Sequence, residues 1–427
     1  MAKQISLPAL FPIPNNWQWV RIDALTSMKS GFPFDSNRFS PDPAGRMPLI
    51  RIRDVVRGST DTYTDEPCPD EYIINSGDVL IGMDGDFNTA KWKSKKALLN
   101  QRVCTIRSVS DQLLNEYLYL FLPDPLKKIN DATPSVTVKH LSTKTLGASS
   151  IPLPPLPEQH RIVDRIESLF AKLDEAKEKA QAVVDGFEDR KAAILHKAFT
   201  GELTAEWRKR NTEQPFRKKI TIKEVCSSLT YGTASKSSKE GKVAVIRMGN
   251  LQGGEINWDN LVYSNNEDDN IKYALSAGDV LFNRTNSAEH VGKTAIYRGE
   301  RPAIYAGYLI KLDYDHSTIQ GEYLNYLLNS PEAREYCKRV KTDAVNQSNI
   351  NAQKIGAFEI PLIGMDEQKA LCQMVTKMIR AEETIRNAAQ NSIGQIDTMK
   401  KAILARAFRG ELGTNDPSEP PADIGIS

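Results

Sequence analysis

The sequence predicts an α+β protein: two mixed α/β domains in tandem repeat, separated by two long antiparallel coiled-coil helices, with pseudo-two-fold symmetry. Three observations lead there. Residues 151–203 and 360–412 align without a gap at a constant offset of 209, with 16 identities in 53 positions. Shorter landmarks recur ahead of each block: Ile50–Val55 resembles Ile246–Leu251, Ser76–Ile81 resembles Ala277–Phe282, and Glu116–Leu118 resembles Glu322–Leu324. Finally, the repeated blocks carry a heptad pattern while the stretches before them carry short β-branched runs.

In chain order, 1–150 forms the first α/β domain. Its scaffold segments, Ile50–Val55 and Ser76–Ile81 among them, read as strands broken by Gly-Asp turns, and Leu113–Lys128 reads as helical. Residues 151–203 form the first long helix, starting near Pro157 and stopping at Gly201. Residues 204–216 read as an exposed linker. The second α/β domain takes 217–359, with Gly321–Val340 helical. The second long helix takes 360–412, from Asp366 to Gly410, and 413–427 reads as a disordered tail rich in Pro, Asp and Ser.

Within the long helices the seam steps by 4 and 3. It runs Ile162, Ile166, Leu169, Leu173, Ala176, Ala180, Val183, Phe187, Arg190, Ile194 in the first. In the second it runs Leu371, Val375, Met378, Glu382, Ile385, Ala389, Ser392, Ile396, Met399, Ile403. Each seam holds one charged residue. An antiparallel register that joins Arg190 to Glu382 then sets Phe187 against Ile385 and Leu173 against Met399. About 40 residues per helix gives roughly 60 Å.

Bulk properties exclude several classes. The net charge of +2 is too small for a uniformly basic nucleic-acid coat, although a local patch suffices for binding. The five cysteines are scattered, without a C-x-x-C pair, so neither a zinc site nor a disulfide framework is expected. No signal peptide and no apolar run of membrane-spanning length is expected. Enzyme signatures are missing. Gly292-Lys293-Thr294 imitates the end of a phosphate loop, but Ser287 stands where the first glycine belongs. The pair Asp84 and Asp86 sits in a glycine-rich turn and reads as turn chemistry. No metal site is expected.

Candidate DNA contacts fall at equivalent places in the two halves. After the first Gly-Asp-Val-Leu strand comes a loop with Asp84 and Asn88; after the second come Asn283, Arg284, Thr285 and Asn286, with Lys293 beyond. Ahead of the long helices come Lys139 and His140 in one half and Gln347 and Asn349 in the other. Arg51, Arg53 and Arg247 lie within the equivalent strand segments, and Lys91, Trp92, Lys93 and Lys95 form a basic, aromatic run. Arg suits guanine, Asn or Gln suits adenine, and Asp accepts from cytosine, while lysines suit phosphates. Any one such loop is equally at home as a solvated surface; the parallel placement distinguishes them.

With these residues in view, the chain resembles the specificity subunits of type I restriction-modification systems. The resemblance runs from Trp17 to Leu412. It rests on Pro152-Leu-Pro-Pro-Leu-Pro-Glu-Gln159 with its helix, on Ala198-Phe-Thr-Gly-Glu-Leu203, and on their copies at Ile360-Pro-Leu362, Glu367-Gln368 and Ala407-Phe-Arg-Gly-Glu-Leu412. The second copy departs from the proline-rich run at Ile363-Gly-Met-Asp366. The resemblance implies two target-recognition domains that each read half of a split site in double-stranded DNA, held apart by the helices. It implies a cytoplasmic complex with two methyltransferase subunits and two restriction subunits. S-adenosylmethionine, ATP and Mg2+ would serve those partners, with none bound by this chain and no catalytic residue in it. Two rival readings remain: a standalone bipartite DNA-binding or scaffold protein, and a fused restriction-methylation enzyme.

Overall fold

The computed structural model describes residues 11–133, 138–211, 218–345 and 347–423. The chain forms two compact units: Met1–Lys179 with Ser392–Ser427, and Ala180–Asn391. The expected boundaries at 150/151 and 359/360 therefore need correction. They run through two antiparallel ladders, Gln18–Arg21 with Ser150–Leu153 and Lys218–Thr221 with Glu359–Leu362.

In the first unit, an antiparallel sheet runs in the order Thr26–Ser30, Val103–Ser108, Val79–Gly82, Thr89–Lys91. A second sheet runs Tyr63–Thr64, Met47–Ile50, Ala97–Leu99, Ile73–Ile74, with its middle pair parallel. The strand Val79–Gly82 shows why a continuous apolar run appears there. Val79 and Ile81 enter one core cluster and Leu80 enters another, because successive side chains point to opposite faces and both faces are covered.

The second unit repeats this logic. Val280 and Phe282 enter one cluster and Leu281 the other. Its main sheet has six strands, ordered Cys226–Tyr231, Leu309–Tyr314, Val280–Asn283, Thr294–Ile296, Glu255–Ile256, Leu251–Gln252. Both Gly-Asp turns are alike: Gly77 and Gly278 adopt φ of 98° and 99°, and the aspartates accept backbone N–H bonds from Asn75 and Ser276 at 2.8 and 2.9 Å. Only glycine takes such a φ without strain.

Two local expectations change. Ile50–Val55 and Ile246–Leu251 do not continue as strands. The strands end at Ile50 and Ile246, and a helix (Ile52–Arg57) or a 3-10 turn (Met248–Asn250) follows. The cause is side-chain capping: Asp54 Oδ2 and Asn250 Oδ1 each accept from the backbone N–H three residues earlier, at 3.0 Å. The expected helix Leu113–Lys128 divides into Asn115–Phe121 and Pro123–Ala132, and Gly321–Val340 into Gly321–Leu328 and Pro331–Val340, the second helix of each pair starting with proline at its first turn.

The second long helix is continuous over Met365–Ala407. The first comprises Leu156–Asp185 and Phe187–Thr200. Gly186 between them keeps the hydrogen-bond ladder: its N–H reaches Ala182 O at 3.0 Å, and Arg190 N–H reaches Gly186 O at 3.1 Å. A Cβ at 186 would lie 2.6 Å from Arg190 Nη1, so glycine makes room for the guanidinium. In the second unit, Arg190 Nε donates to Glu382 Oε2 at 2.6 Å and the Arg386 guanidinium lies 4.2 Å from the Phe187 ring centroid. In the first unit, Lys177 meets Asp397 at 2.7 Å, and Lys400 meets Asp174 while lying over Phe170. Numbers rise along one helix as they fall along the other in both units, so the pairing is antiparallel in each.

Three seam residues of the second helix, Met378, Ile385 and Met399, need correction, because all are exposed. Ile385 and Met399 are each 50% exposed, and Leu173 is only half-buried. Arg386 and Lys400, one position later, take the inward places, while Ile379 and Ile396 are buried. A strict heptad drifts about 20° per repeat against a straight helix, so the inward line falls one residue later at some layers, while the seam residue Ile396 keeps its buried place.

The Glu-Gln of each block is structural. Gln159 and Gln368 are fully buried and make matching bonds. Their Oε1 atoms accept from Leu114 N–H and Gln320 N–H, both at 2.9 Å. Their Nε2 atoms donate to Pro154 O and Gln112 O in one case and to Ile363 O and Thr318 O in the other. Glu367 accepts from Thr204 Oγ1 at 2.7 Å and Arg208 Nη1 at 2.6 Å. Glu158 accepts from Trp17 Nε1 and Asn415 Nδ2, both at 2.8 Å.

Those bonds overturn two expectations. The stretch from Thr204 is no exposed linker: Thr204 is buried and Ala205–Arg210 is helical. Residues 212–216 of the expected linker lie outside the described residues. Nor is the tail disordered through Asp423. Arg161 forms a two-bond pair with Glu419 at 2.8 and 2.9 Å, Gln18 Nε2 donates to Ala422 O at 2.6 Å, and Ala422 joins the core. A buried carboxylate and buried backbone groups need partners, and the tail supplies them. Residues 424–427 lie outside the described ones.

Candidate nucleic-acid interface

In each half, the loop after the Gly-Asp-Val-Leu strand lies beside the segment preceding the short helix at the end of the domain. In the first half, Leu141 N–H donates to Met83 O at 2.7 Å and Gly85 N–H donates to Lys139 O at 3.0 Å. Between them, Asp84 and His140 face each other, with His140 Nδ1 2.7 Å from Asp84 Oδ1 and Arg102 Nη1 at 3.6 Å from the same oxygen. In the second half, Ile350 N–H donates to Arg284 O at 2.8 Å, and Thr285 and Asn286 pair with Asn349 and Ser348. Thr285 Oγ1 donates to Asn349 Oδ1 at 2.6 Å. Asp84 and His140 thus occupy the register positions of Thr285 and Asn349. One backbone frame presents an acid and an imidazole in one half, and a hydroxyl and an amide in the other.

Other candidate residues are distributed around these pairs. Asn88 is exposed, and Asn286 half-exposed. Gln347 is exposed, and its side chain has no partner among the described residues. Lys139 Nζ donates to Asn130 O at 2.6 Å, which fixes the loop. Arg284 lies 4.7 Å from the Tyr231 ring centroid and donates Nη1–H to Gly307 O at 3.4 Å, while its buried Nε has no partner among the described residues. Lys293 donates to Gln252 Oε1 at 3.3 Å; burial and the nearby Arg334 hold its ammonium below the usual lysine range.

Several candidates do not come to the interface as free groups. Trp92 is 2% exposed, sits in the core and donates Nε1–H to Lys95 O at 2.8 Å. Its place matches Tyr297: both backbones close a Gly-Asp turn by bonding the glycine and the aspartate. Spacing alone does not mark the equivalence, since Trp92 lies 15 residues after Gly77 and Tyr297 lies 19 after Gly278; the shared backbone bonds do. Asn283 and Thr285 are buried as well. Arg53 is taken up by Asp61 and Thr62 at 3.2 Å, Arg51 lies over Phe39, and Arg247 donates to Asn260 O at 2.6 Å. Lys91 pairs with Glu116 at 3.4 Å. Lys93 and Lys95 are exposed. Sequence reasoning missed Arg102, in the turn ahead of Val103–Ser108 and beside Asp84, and Tyr231, at the end of Cys226–Tyr231 under Arg284.

The model of the type I restriction modification DNA specificity domain matches residues 14–184 and again residues 217–395. The chain belongs to this family. Among the relatives of this specificity family, the EcoBI specificity subunit of Escherichia coli is 30% identical over 435 residues, spanning 97% of this chain and 90% of that protein. The EcoKI specificity subunit of Escherichia coli is 23% identical over 430 residues, spanning 96% and 92%. The HsdS subunit from Thermoanaerobacter tengcongensis shares the fold with a TM-score of 0.56 at 18% identity, over 94% of this chain and 99% of that one. A chain from a structural study of type I R-M complex assembly and conformational transition gives 0.70 at 18% identity, over 94% and 100%.

Among the described residues, no helix is long and apolar enough to cross a membrane, and no group of three His, Cys, Asp or Glu side chains is placed to hold a metal ion. Four thiols, at Cys104, Cys226, Cys337 and Cys372, are pushed up to about 12 by burial, so they stay protonated and unreactive at neutral pH.

Proposed function

We propose that the chain is the DNA-specificity subunit of a type I restriction-modification complex. Its two target-recognition domains read the two halves of a bipartite duplex site, and its long helices carry two methyltransferase and two restriction subunits. In this reading the chain catalyses nothing itself. S-adenosylmethionine serves the methyltransferases, ATP and Mg2+ serve the restriction subunits, and the complex works on DNA in the cytoplasm. The observation that carries the reading is the repeated loop frame with different accessible chemistry, Asp84–His140 in one half against Gln347 and the half-buried Asn349 in the other. A shared frame with exchanged polar groups is what two heads need in order to read different base edges. Whole-length kinship with specificity subunits supports the same conclusion.

The test is a modification map. The chain is co-expressed with its methyltransferase partner in a methylation-free host, and the genome is sequenced for modified adenines. One bipartite motif with a fixed gap is expected, and exchanging residues 1–150 for those of a relative should change one half-site only. A soluble complex that leaves no motif would sink the proposal.

A further inference from the structure

The second half carries an element suited to a groove. Thr285–Asn286, Gln347–Asn349 and Thr342–Ala344 form a small antiparallel sheet whose central strand is Gln347–Asn349. The central strand Gln347–Asn349 and the outer strand Thr342–Ala344 make a hairpin. B-DNA's major groove, about 12 Å wide, admits a two-stranded ribbon.

The register decides which side chains share a face. Gln347 lies opposite Ala344, while Thr342 and Thr285 lie opposite Asn349. Directly opposed residues project to the same side, and alternate residues to the other. One face therefore carries Ala344 and Gln347 toward the hairpin end and Thr342, Asn349 and Thr285 toward its base. The base is tied down: Thr285 holds Asn349, and Lys354 Nζ donates to Thr342 Oγ1 at 2.6 Å. Ser348, on the opposite face, is buried and bonded to Asp343. The end is free. Ala344 and Gln347 are exposed, and Val345, at the turn, is 99% exposed. A fully exposed Val beside an amide with no partner among the described residues, at the end of an anchored ribbon, has no stabilising contact there to explain it.

Resting on the specificity-subunit reading, we infer that this ribbon enters the major groove of the second half-site and that Gln347 with Ala344 reads one A·T pair. The Gln347 Nε2–H donates to adenine N7, and Oε1 accepts from adenine N6–H. The Ala344 methyl, on the same face, meets the thymine methyl of that pair. Opposed Cβ atoms lie about 4.5–5.5 Å apart, a spacing that lets two side chains address the two bases of one pair. Val345 adds apolar contact at the leading edge.

The test maps adenine modification by the complex carrying wild-type chain, Gln347→Ala or Gln347→Glu. The wild type should give a bipartite motif with an A·T pair at one position of the second half-site. Gln347→Ala should relax that position alone, cutting discrimination there by roughly 5- to 150-fold. Gln347→Glu should shift the position toward cytosine, whose N4 donates to a carboxylate. An unchanged motif in both variants overturns the inference and leaves the specificity reading standing, whether modification stays level (a protein-docking ribbon) or falls uniformly (a phosphate contact). A wild-type complex that modifies no motif overturns the specificity reading and the inference with it.

Discussion

Trp92 shows how far single residues can be read from sequence. Its neighbours Lys91, Lys93, Lys95 and Lys96 suggested a cationic loop with an aromatic aimed at DNA. The indole instead fills the core beneath the Gly-Asp turn. Trp92→Ala should cost about 3–5 kcal/mol, seen as a lower urea midpoint. A variant of wild-type stability with weakened DNA binding would contradict this. The chemistry of Asp84, His140, Asn349 and Gln347 was legible because polar side chains at equivalent loop positions stand out against a repeat. Burial was not legible for Asn283 or Thr285. Loop residues one step past a strand end can still lie under a neighbouring segment, and only the pairing partner, 64 residues away for Thr285, reveals it.

At the scale of elements, the long helices were the most legible feature, because their pattern is local and repeats every turn. The contact between Arg190 and Glu382 follows from the one charge on each seam. The inward places of Arg386 and Lys400 do not, since they depend on how far the helices supercoil. The pair is partly exposed, so Arg190→Glu or Glu382→Arg alone should cost about 1 kcal/mol. The double exchange should recover most of it, read by chemical denaturation. If the double variant is as unstable as the two singles summed, the two side chains are not coupled. The folding back of Arg190 over Gly186 was invisible in sequence, since a glycine within a heptad run reads only as a weak point.

For the whole molecule, the boundaries were the least legible part. A linear division into domain, helix, linker and tail is natural for a sequence. The molecule closes its first unit with residues from Ser392 onward. Truncation after Leu412 removes Asn415 from the buried Glu158 and Glu419 from Arg161. Losing charged hydrogen bonds of this kind costs about 2 kcal/mol or more. Hydrogen exchange in Gln18–Arg21 and Ser150–Leu153 should then speed by roughly 30-fold, with Lys218–Thr221 unaffected. Equal protection in both proteins would make the tail ornamental. Under the proposed function, adding one helical turn to each long helix, after Lys179 and after Asn391, adds roughly 5–6 Å to each. That should lengthen the non-specific gap in the modification map by one or two base pairs and leave both half-sites unchanged. An unchanged gap would mean that the helices do not set it.

The tail's place in the first unit also bears on synthesis. The ribosome makes residues up to Lys179 first, yet that unit is completed only by Ser392 onward. At roughly 5–20 residues per second, the earliest-made domain waits on the order of 10–50 s for its last pieces. The unit Ala180–Asn391, translated second, has all its parts before the first does. Order of birth and order of completion are therefore reversed in this chain. A nascent chain whose residue 391 has just emerged from the ribosome would hold every part of the second unit and, on its N-terminal side, a domain whose buried Glu158 still lacks the partner that Asn415 brings.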